Sequence, residues 1–174
     1  MRRIIALLAL SLTAVVLVTA LAVGAASAST SAFHSTNTTT DNGGPAFTSA
    51  LAPDLGPTVE PTIGGIAPGG FPWVLTEGHA TLTQSGRLEA SVEGLLFGPG
   101  APPPLPGTTG PLTQVFASVV CANGPVISTG AVRFSPTGDA HINQQVALPA
   151  QCVGPIVLIR AALSSGPWIA ASGV

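Results

Sequence analysis

Residues 76–94 read TEGHATLTQSGRLEASVEG, two runs of alternating apolar and polar residues on either side of residues 84–86. Strict alternation is typical of a half-buried β-strand, and a short polar link that contains glycine is typical of a β-hairpin. With a three-residue turn, Leu82 faces Leu88 and both side chains point into the core. A two-residue turn would place Leu82 opposite Glu89 and bury a charge, so the sequence predicts the first register.

The other face of this hairpin is polar. Glu77 falls opposite Glu93 across the ladder, and His79 lies one step along the same face. Two opposed carboxylates repel unless water or a cation lies between them. Glu77, His79 and Glu93 are therefore candidate ligands for Ca²⁺ or a polar molecule, although Ca²⁺ takes six or more oxygens and a strand face offers few. A hydrated face without a ligand is the preferred interpretation.

The same alternation recurs from Trp73 onward in about seven short segments separated by Gly, Pro, Asn or Ser, and no apolar run follows the helical period. We predict an all-β domain over residues 73–174, an antiparallel β-sandwich of Ig-like or jelly-roll-like form. Residues 155–163, PIVLIRAAL, are apolar on both faces and are predicted to form a central strand.

A second hairpin is predicted around Pro136. In it Arg133 lies opposite Asp139, and an exposed ion pair of this kind contributes at most about 1 kcal/mol. Asp139, His141 and Asn143 share the polar side of this hairpin and form a second candidate ligand trio. Because the ion pair already engages Asp139, a structural role is preferred for this trio.

The N-terminus has the pattern of an export signal. Arg2 and Arg3 precede a long apolar stretch, and residues 26–28 form the small-x-small motif Ala-Ser-Ala. Residues 1–28 are predicted to be a signal peptide, with an uncleaved membrane anchor as the alternative because the stretch is long enough to span a bilayer. Residues 29–72, rich in Ser and Thr and then in Pro and Gly, are predicted to be a flexible arm. The chain is expected to be secreted or to lie at the cell surface.

Cys121 and Cys152 are the two cysteines of the chain. In an oxidising compartment a single pair forms one bridge, so a structural disulfide between them is predicted. A redox-active or metal-binding thiol pair is the alternative, and it is disfavoured because the C-x-x-C spacing is absent.

Composition excludes several functions. Only 7% of residues are charged, and beyond residue 28 three arginines stand against seven acidic residues. Binding to nucleic acid or to anionic lipid requires clustered basic residues, so no nucleic-acid partner is expected, and contact with a membrane is expected only through an uncleaved N-terminal segment. The chain has no lysine, which excludes phosphate-binding P-loops, Schiff-base lysines and Ser-x-x-Lys nucleophiles. The exclusive use of Arg and the abundance of Ala, Gly and Pro favour a bacterial source.

These observations predict a non-enzymatic exported protein without a cofactor. Its expected role is structural or adhesive, toward a surface protein or a glycan. The first alternative is a module that binds Ca²⁺ or a polar ligand on the Glu77/His79/Glu93 face, and the second is an enzyme of an unrecognised type. The motifs Gly-x-Ser-x-Gly and His-Glu-x-x-His are absent from the sequence.

The hairpin sequence GHATLT…GRLEASVEGL resembles the first hairpin of CHRD modules, in which strands carry Gly-x-Ala-x-Leu and end in Gly-Leu. The resemblance covers about twenty residues and implies an extracellular β-sandwich. The His-x-His element that follows in that family is missing from this sequence, so the resemblance assigns no functional residue.

Overall fold

A computed structural model describes residues 47–173 apart from Asn123 and Ser165. The predicted signal peptide and residues 29–46 of the predicted arm lie outside the described residues. The described part of the chain contains no helix and has eleven strands. They are β1 (Phe47–Pro53), β2 (Trp73–Val74), β3 (Glu77–Leu82), β4 (Arg87–Glu93), β5 (Leu96–Phe97), β6 (Gln114–Val120), β7 (Ile127–Ser128), β8 (Val132–Arg133), β9 (Ala140–Gln145), β10 (Ile156–Ala161) and β11 (Trp168–Ser172).

Nine of these strands form one antiparallel sheet. Its order is β7-β6-β10-β11-β1-β3-β4-β9, with β8 paired to β6, while β2 and β5 form a separate two-stranded sheet. The predicted all-β antiparallel class is confirmed. The predicted central strand is also confirmed, because β10 lies between β6 and β11 and buries Val157, Leu158 and Ile159.

The large sheet is curled, so that the inner faces of its two halves meet in a common core. Leu88 of β4 and Ile142 of β9 belong to the same apolar cluster as Val119 of β6 and Ile159 of β10. The two halves therefore pack as the layers of a sandwich do, although they are continuous through β1. Their alternating inward side chains provide most of the hydrophobic stabilisation, at about 25 cal/mol for each Å² of buried apolar surface.

Strand β1 lies in a segment that the sequence assigned to a flexible arm, and that assignment is wrong for residues 47–72. Phe47–Pro53 pairs with β11 on one side and with β3 on the other. Hydrogen bonding on both sides satisfies the backbone of this segment, and Leu51 is buried in the core. The ordered domain therefore includes residues before Trp73.

The connection from β1 to β2 covers the outer face of the sheet. Ile63 and Ile66 are buried there against Trp168 and Leu158, which point outward from β11 and β10. The N–H of Trp168 donates to the carbonyl of Ala67 at 3.1 Å. These buried isoleucines and backbone hydrogen bonds hold a segment that is otherwise rich in Pro and Gly against the sheet.

The second predicted hairpin is wrong in its pairing. β8 pairs with β6, so that Arg133 lies opposite Gln114, and β9 pairs with β4. The turn near Pro136 exists, but it carries the chain from one half of the curled sheet to the other. The edge of β4 offers β9 an apolar match, with Ala90 opposite Ile142, that the short strand β8 does not provide.

The Cys121–Cys152 disulfide is confirmed. It joins the end of β6 to the segment that precedes β10, and the described residues contain no free cysteine. A disulfide of this kind indicates an oxidising environment. Among the described residues, no helix is long and apolar enough to cross a membrane.

Candidate functional site

The predicted register of the first hairpin is confirmed at every pair. Glu77 lies opposite Glu93, His79 opposite Ser91, and Leu82 opposite Leu88. The turn closes with a hydrogen bond from the N–H of Thr83 to the carbonyl of Arg87 at 3.0 Å. Gly86 has a φ of 88°, a left-handed conformation that glycine adopts without strain.

The polar side of the hairpin extends over four strands, because β1 lies beside β3 and β9 lies beside β4. His79 and Ser91 stand in one row with His141, and Thr81 and Glu89 stand in the next row with Asn143. Thr48 extends that second row and shares a hydrogen bond of 3.2 Å with Thr81. We call this surface the polar face; its residues are Thr48, Glu77, His79, Thr81, Arg87, Glu89, Ser91, Glu93, His141 and Asn143.

The two histidines of the polar face make separate contacts. Ser91 Oγ lies 3.2 Å from His79 Nδ1, and His141 Nε2 lies 3.9 Å from Glu89 Oε1. The side chains of His141 and Glu89 are 59% and 46% exposed, so their ion pair is weak. Because the histidines stand on either side of β4, their backbones are separated by two strand spacings, about 10 Å.

The structure brings Glu77 and Glu93 opposite each other as predicted and leaves both of them exposed, together with His79. Within residues 47–173, the two undescribed residues aside, no group of three or more His, Cys, Asp or Glu side chains is arranged to hold a metal ion. The three predicted ligands lie on an open strand face, where water reaches them from one whole side. Binding of a polar ligand there stays a prediction.

Asp139 is not paired with Arg133. Its Oδ1 accepts a hydrogen bond from the N–H of Gly94 at 3.0 Å, and its Oδ2 accepts from the hydroxyls of Thr137 at 2.6 Å and Ser135 at 3.0 Å. These bonds, that of Thr137 first, hold the pKa of Asp139 below its ordinary value. The carboxylate thus fastens the turn after β8 to the end of β4.

A pocket of about 400 Å³ opens beside this turn. It brings together residues from both predicted trios, Glu93 from the first and Asp139 and His141 from the second, and it adds Arg133. The sequence placed Arg133 in an ion pair with Asp139 and therefore missed its position on this pocket. No sequence signal indicates that position, because it depends on how the two halves of the sheet meet.

Asp54 is a second feature that the sequence did not indicate. Its side chain is completely buried, and its Oδ1 accepts the N–H of Gly56 at 2.7 Å, whereas its Oδ2 has no hydrogen-bond partner. Burial raises the pKa of this carboxyl to about 6, against the lowering effects of the Gly56 hydrogen bond and of the nearby Gly69 N–H, which itself donates to the carbonyl of Trp168. The pattern Asp-x-Gly at residues 54–56 is a turn signal, but it does not distinguish a buried turn from an exposed one.

No protein-family model matches the chain, and neither the curated proteins nor the solved structures include a match. The resemblance to CHRD modules therefore rests on the residues of the first hairpin alone.

Proposed function

We propose that this chain is an exported, non-enzymatic interaction protein with a structural or adhesive role at the cell surface or outside the cell. The observation that carries the proposal is the polar face itself, on which ionisable and hydroxyl side chains stand in rows across four paired strands. The N-terminal signal pattern and the disulfide support export.

The chemistry of the polar face defines the kind of partner. Glu77, Glu89 and Glu93 provide carboxylates, against the single guanidinium of Arg87. Carboxylates accept hydrogen bonds from the hydroxyls of a glycan and attract basic groups of a protein. An open strand face makes contacts over a broad area, in contrast to a cleft that encloses a small substrate. A surface glycan or a surface protein with exposed donors is the expected partner.

A triple variant, Glu77→Gln, Glu89→Gln and Glu93→Gln, is expected to bind the partner about a hundredfold more weakly, because each of the three lost charged hydrogen bonds is worth about 1 kcal/mol or more. The measurement is binding of the exported protein to arrays of cell-wall glycans and surface proteins. The matched control is Glu60→Gln, which removes a carboxylate that is not on the polar face. Equal binding by the triple variant would exclude the polar face, and hydrolysis of any member of a broad substrate panel would contradict a non-enzymatic role.

The opposed carboxylates of Glu77 and Glu93, with His79 beside them, favour a second candidate function, binding of Ca²⁺ on the same face. A bound ion stabilises the folded state by mass action, about 2.7 kcal/mol when the free ion is a hundred times its dissociation constant. The melting temperature is therefore expected to be higher in Ca²⁺ than in EDTA, and Glu77→Gln is expected to remove the difference. Identical melting curves in the two conditions would end this candidate.

A further inference from the structure

The pocket between β4, β9 and the turn after β8 has properties that the polar face lacks. We propose that it binds a small zwitterion, an amino acid or short peptide whose carboxylate pairs with Arg133 and whose ammonium pairs with Glu93. Both residues line this pocket of about 400 Å³. The inference goes beyond the proposed function: the pocket shares Ser91, Glu93 and His141 with the polar face, but it adds Arg133 and takes a small ligand of a different chemical class.

The charges of Arg133 and Glu93 are unmatched in the protein. Both side chains are exposed, and in the described part of the chain neither of them makes a side-chain hydrogen bond or an ion pair. Among the described residues, the one contact between oppositely ionisable side chains within 4.0 Å is that of His141 with Glu89. The guanidinium and the carboxylate therefore line the same pocket without bridging each other, and a molecule with both charges offers a partner to each.

A ligand with a single charge fits this pocket less well. A plain anion would pair with Arg133 but would be repelled by Glu93, and a plain cation would have the reverse problem. Arg133 presents a planar fork of donors, which matches a carboxylate with two parallel hydrogen bonds. Asp139 accepts hydrogen bonds from Gly94, Ser135 and Thr137, so Glu93 is the lining carboxylate whose oxygens have no hydrogen-bond partner within the part of the chain that the structure describes.

The wall of the pocket is held in place before any ligand arrives. Besides the hydrogen bonds of Asp139, the N–H of Leu95 donates to the carbonyl of Gly138 at 2.9 Å. Gly138 has a φ of 85°, and a Cβ at this position would come within 2.6 Å of the backbone of Leu95, so only glycine allows this close approach. A fixed wall reduces the ordering entropy that a ligand must overcome.

The size and lining of the pocket agree with a small polar ligand. Small-molecule sites commonly have volumes of about 300–1,000 Å³. Ala140 is the partly exposed apolar residue of the lining, whereas Val92 is 2% exposed and faces the core, so the accessible lining is mainly polar. The pocket is large enough for an amino acid or a dipeptide.

The decisive experiment compares three related probes that differ in which charged ends they carry. The full-length exported protein is titrated with glycylglycine, with N-acetylglycylglycine, which lacks the ammonium, and with glycylglycine amide, which lacks the carboxylate. Binding is followed through the NMR signals of the Gly94 amide and the His141 ring. Glycylglycine is expected to saturate with a dissociation constant of about 1 mM, and each single-charge probe is expected to bind at least about tenfold more weakly.

Variants identify the two residues. Arg133→Gln and Glu93→Gln are each expected to weaken glycylglycine binding by about tenfold or more, since each removes one charged hydrogen-bond partner. Arg87→Gln and Glu60→Gln are the controls, because they remove the same kinds of charge from positions that do not line the pocket and do not pair with Glu93. Both controls are expected to bind as the wild type does.

Three results would overturn the inference: equal affinity for all three probes, no saturation by glycylglycine up to about 10 mM, or a loss with Arg87→Gln as large as that with Arg133→Gln. The comparison of the three probes on the wild type tests whether the pocket requires both charges, even if a variant folds poorly. Failure of this pocket is distinguishable from failure of the proposed function, which is measured separately on the glycan and protein arrays.

Discussion

Replacing Cys121 and Cys152 together with alanine is expected to lower the free energy of unfolding by about 3–4 kcal/mol. The bridge closes a loop between residues that are 31 positions apart, and it restricts the unfolded chain throughout that loop. It also holds a segment without strand pairing, residues 146–155, against the end of β6. The expected fall in melting temperature is roughly 10–15 °C.

Urea denaturation of the oxidised wild type, the reduced wild type and the double alanine variant measures this effect. Reduced protein and variant are expected to lose similar amounts, since both lack the cross-link while only the variant lacks the sulfur atoms. The denaturant dependence is expected to become steeper in both, because an uncrosslinked chain exposes more surface when it unfolds. Unchanged stability, or alkylation of both thiols without prior reduction, would contradict the structural role of this bridge.

Hydrogen exchange of amides near the bridge provides an independent measurement of its effect. The N–H of Ala122 donates to the carbonyl of Val153 at 2.9 Å, directly beside the disulfide. Without the bridge, exchange of the Ala122 amide with solvent is expected to accelerate more than exchange in the β3–β4 hairpin.

The first hairpin was predictable because its determinants are local. One short turn joins its strands, and burial of Leu82 against Leu88 admits a single register. The pairing of β9 was not predictable in this way. Alternation in residues 140–145 shows which side of the strand is dry, but it does not show which strand lies beside it. β4 is more than forty residues earlier in the sequence, and it is nevertheless the neighbour of β9.

Strand β1 was not predicted, and the reason is different. Its sequence, FTSALAP, alternates over a short span, and the surrounding Ser, Thr, Pro and Gly residues give the whole segment the composition of a disordered arm. Order arises because open edges of β3 and β11 accept its backbone on both sides. Average composition does not report the presence of such edges.

The residues of the candidate site also fall into two groups, those whose placement follows from local sequence and those whose placement depends on the whole fold. The opposition of Glu77 to Glu93 follows from the register of one hairpin and was predicted correctly. The place of Arg133 on the same pocket as Glu93 depends on the fold of the entire sheet, and the predicted pairing of Arg133 with Asp139 was wrong. The burial of Asp54 also depends on the whole fold, because it arises when residues 54–72 fold back over β11.

The stability of the protein is expected to fall as the pH rises from about 4 to about 6, because of Asp54. Burial disfavours the charged carboxylate and raises the pKa from 3.8 in an exposed carboxyl to about 6 in the folded protein. Between these values the folded state holds a proton that the unfolded state has released, so the stabilisation is complete below about pH 4 and is lost at about pH 6. The expected loss is on the order of 2–3 kcal/mol.

Denaturation of wild type and Asp54→Asn over this pH range tests the assignment. Asparagine keeps an oxygen for the N–H of Gly56 but does not ionise, so the fall between pH 4 and pH 6 is expected to disappear. The slope with pH is the diagnostic quantity, because the new amide group has no acceptor at the Oδ2 position and lowers stability equally at every pH.

Two other variants distinguish the contribution of Asp54 to the pH dependence of stability from those of Glu60 and Asp139. The charge of Glu60 contributes to the raised pKa of Asp54, so Glu60→Gln is expected to move the fall to slightly lower pH without removing it. Asp139 has a lowered pKa, and its contribution has the opposite sign: stability is present above its ordinary pKa and is lost as the pH falls. Asp139→Asn should therefore keep the fall between pH 4 and pH 6. If Asp54→Asn also keeps it, the buried carboxyl is not its source, and the closure of residues 54–72 over the sheet does not depend on a proton.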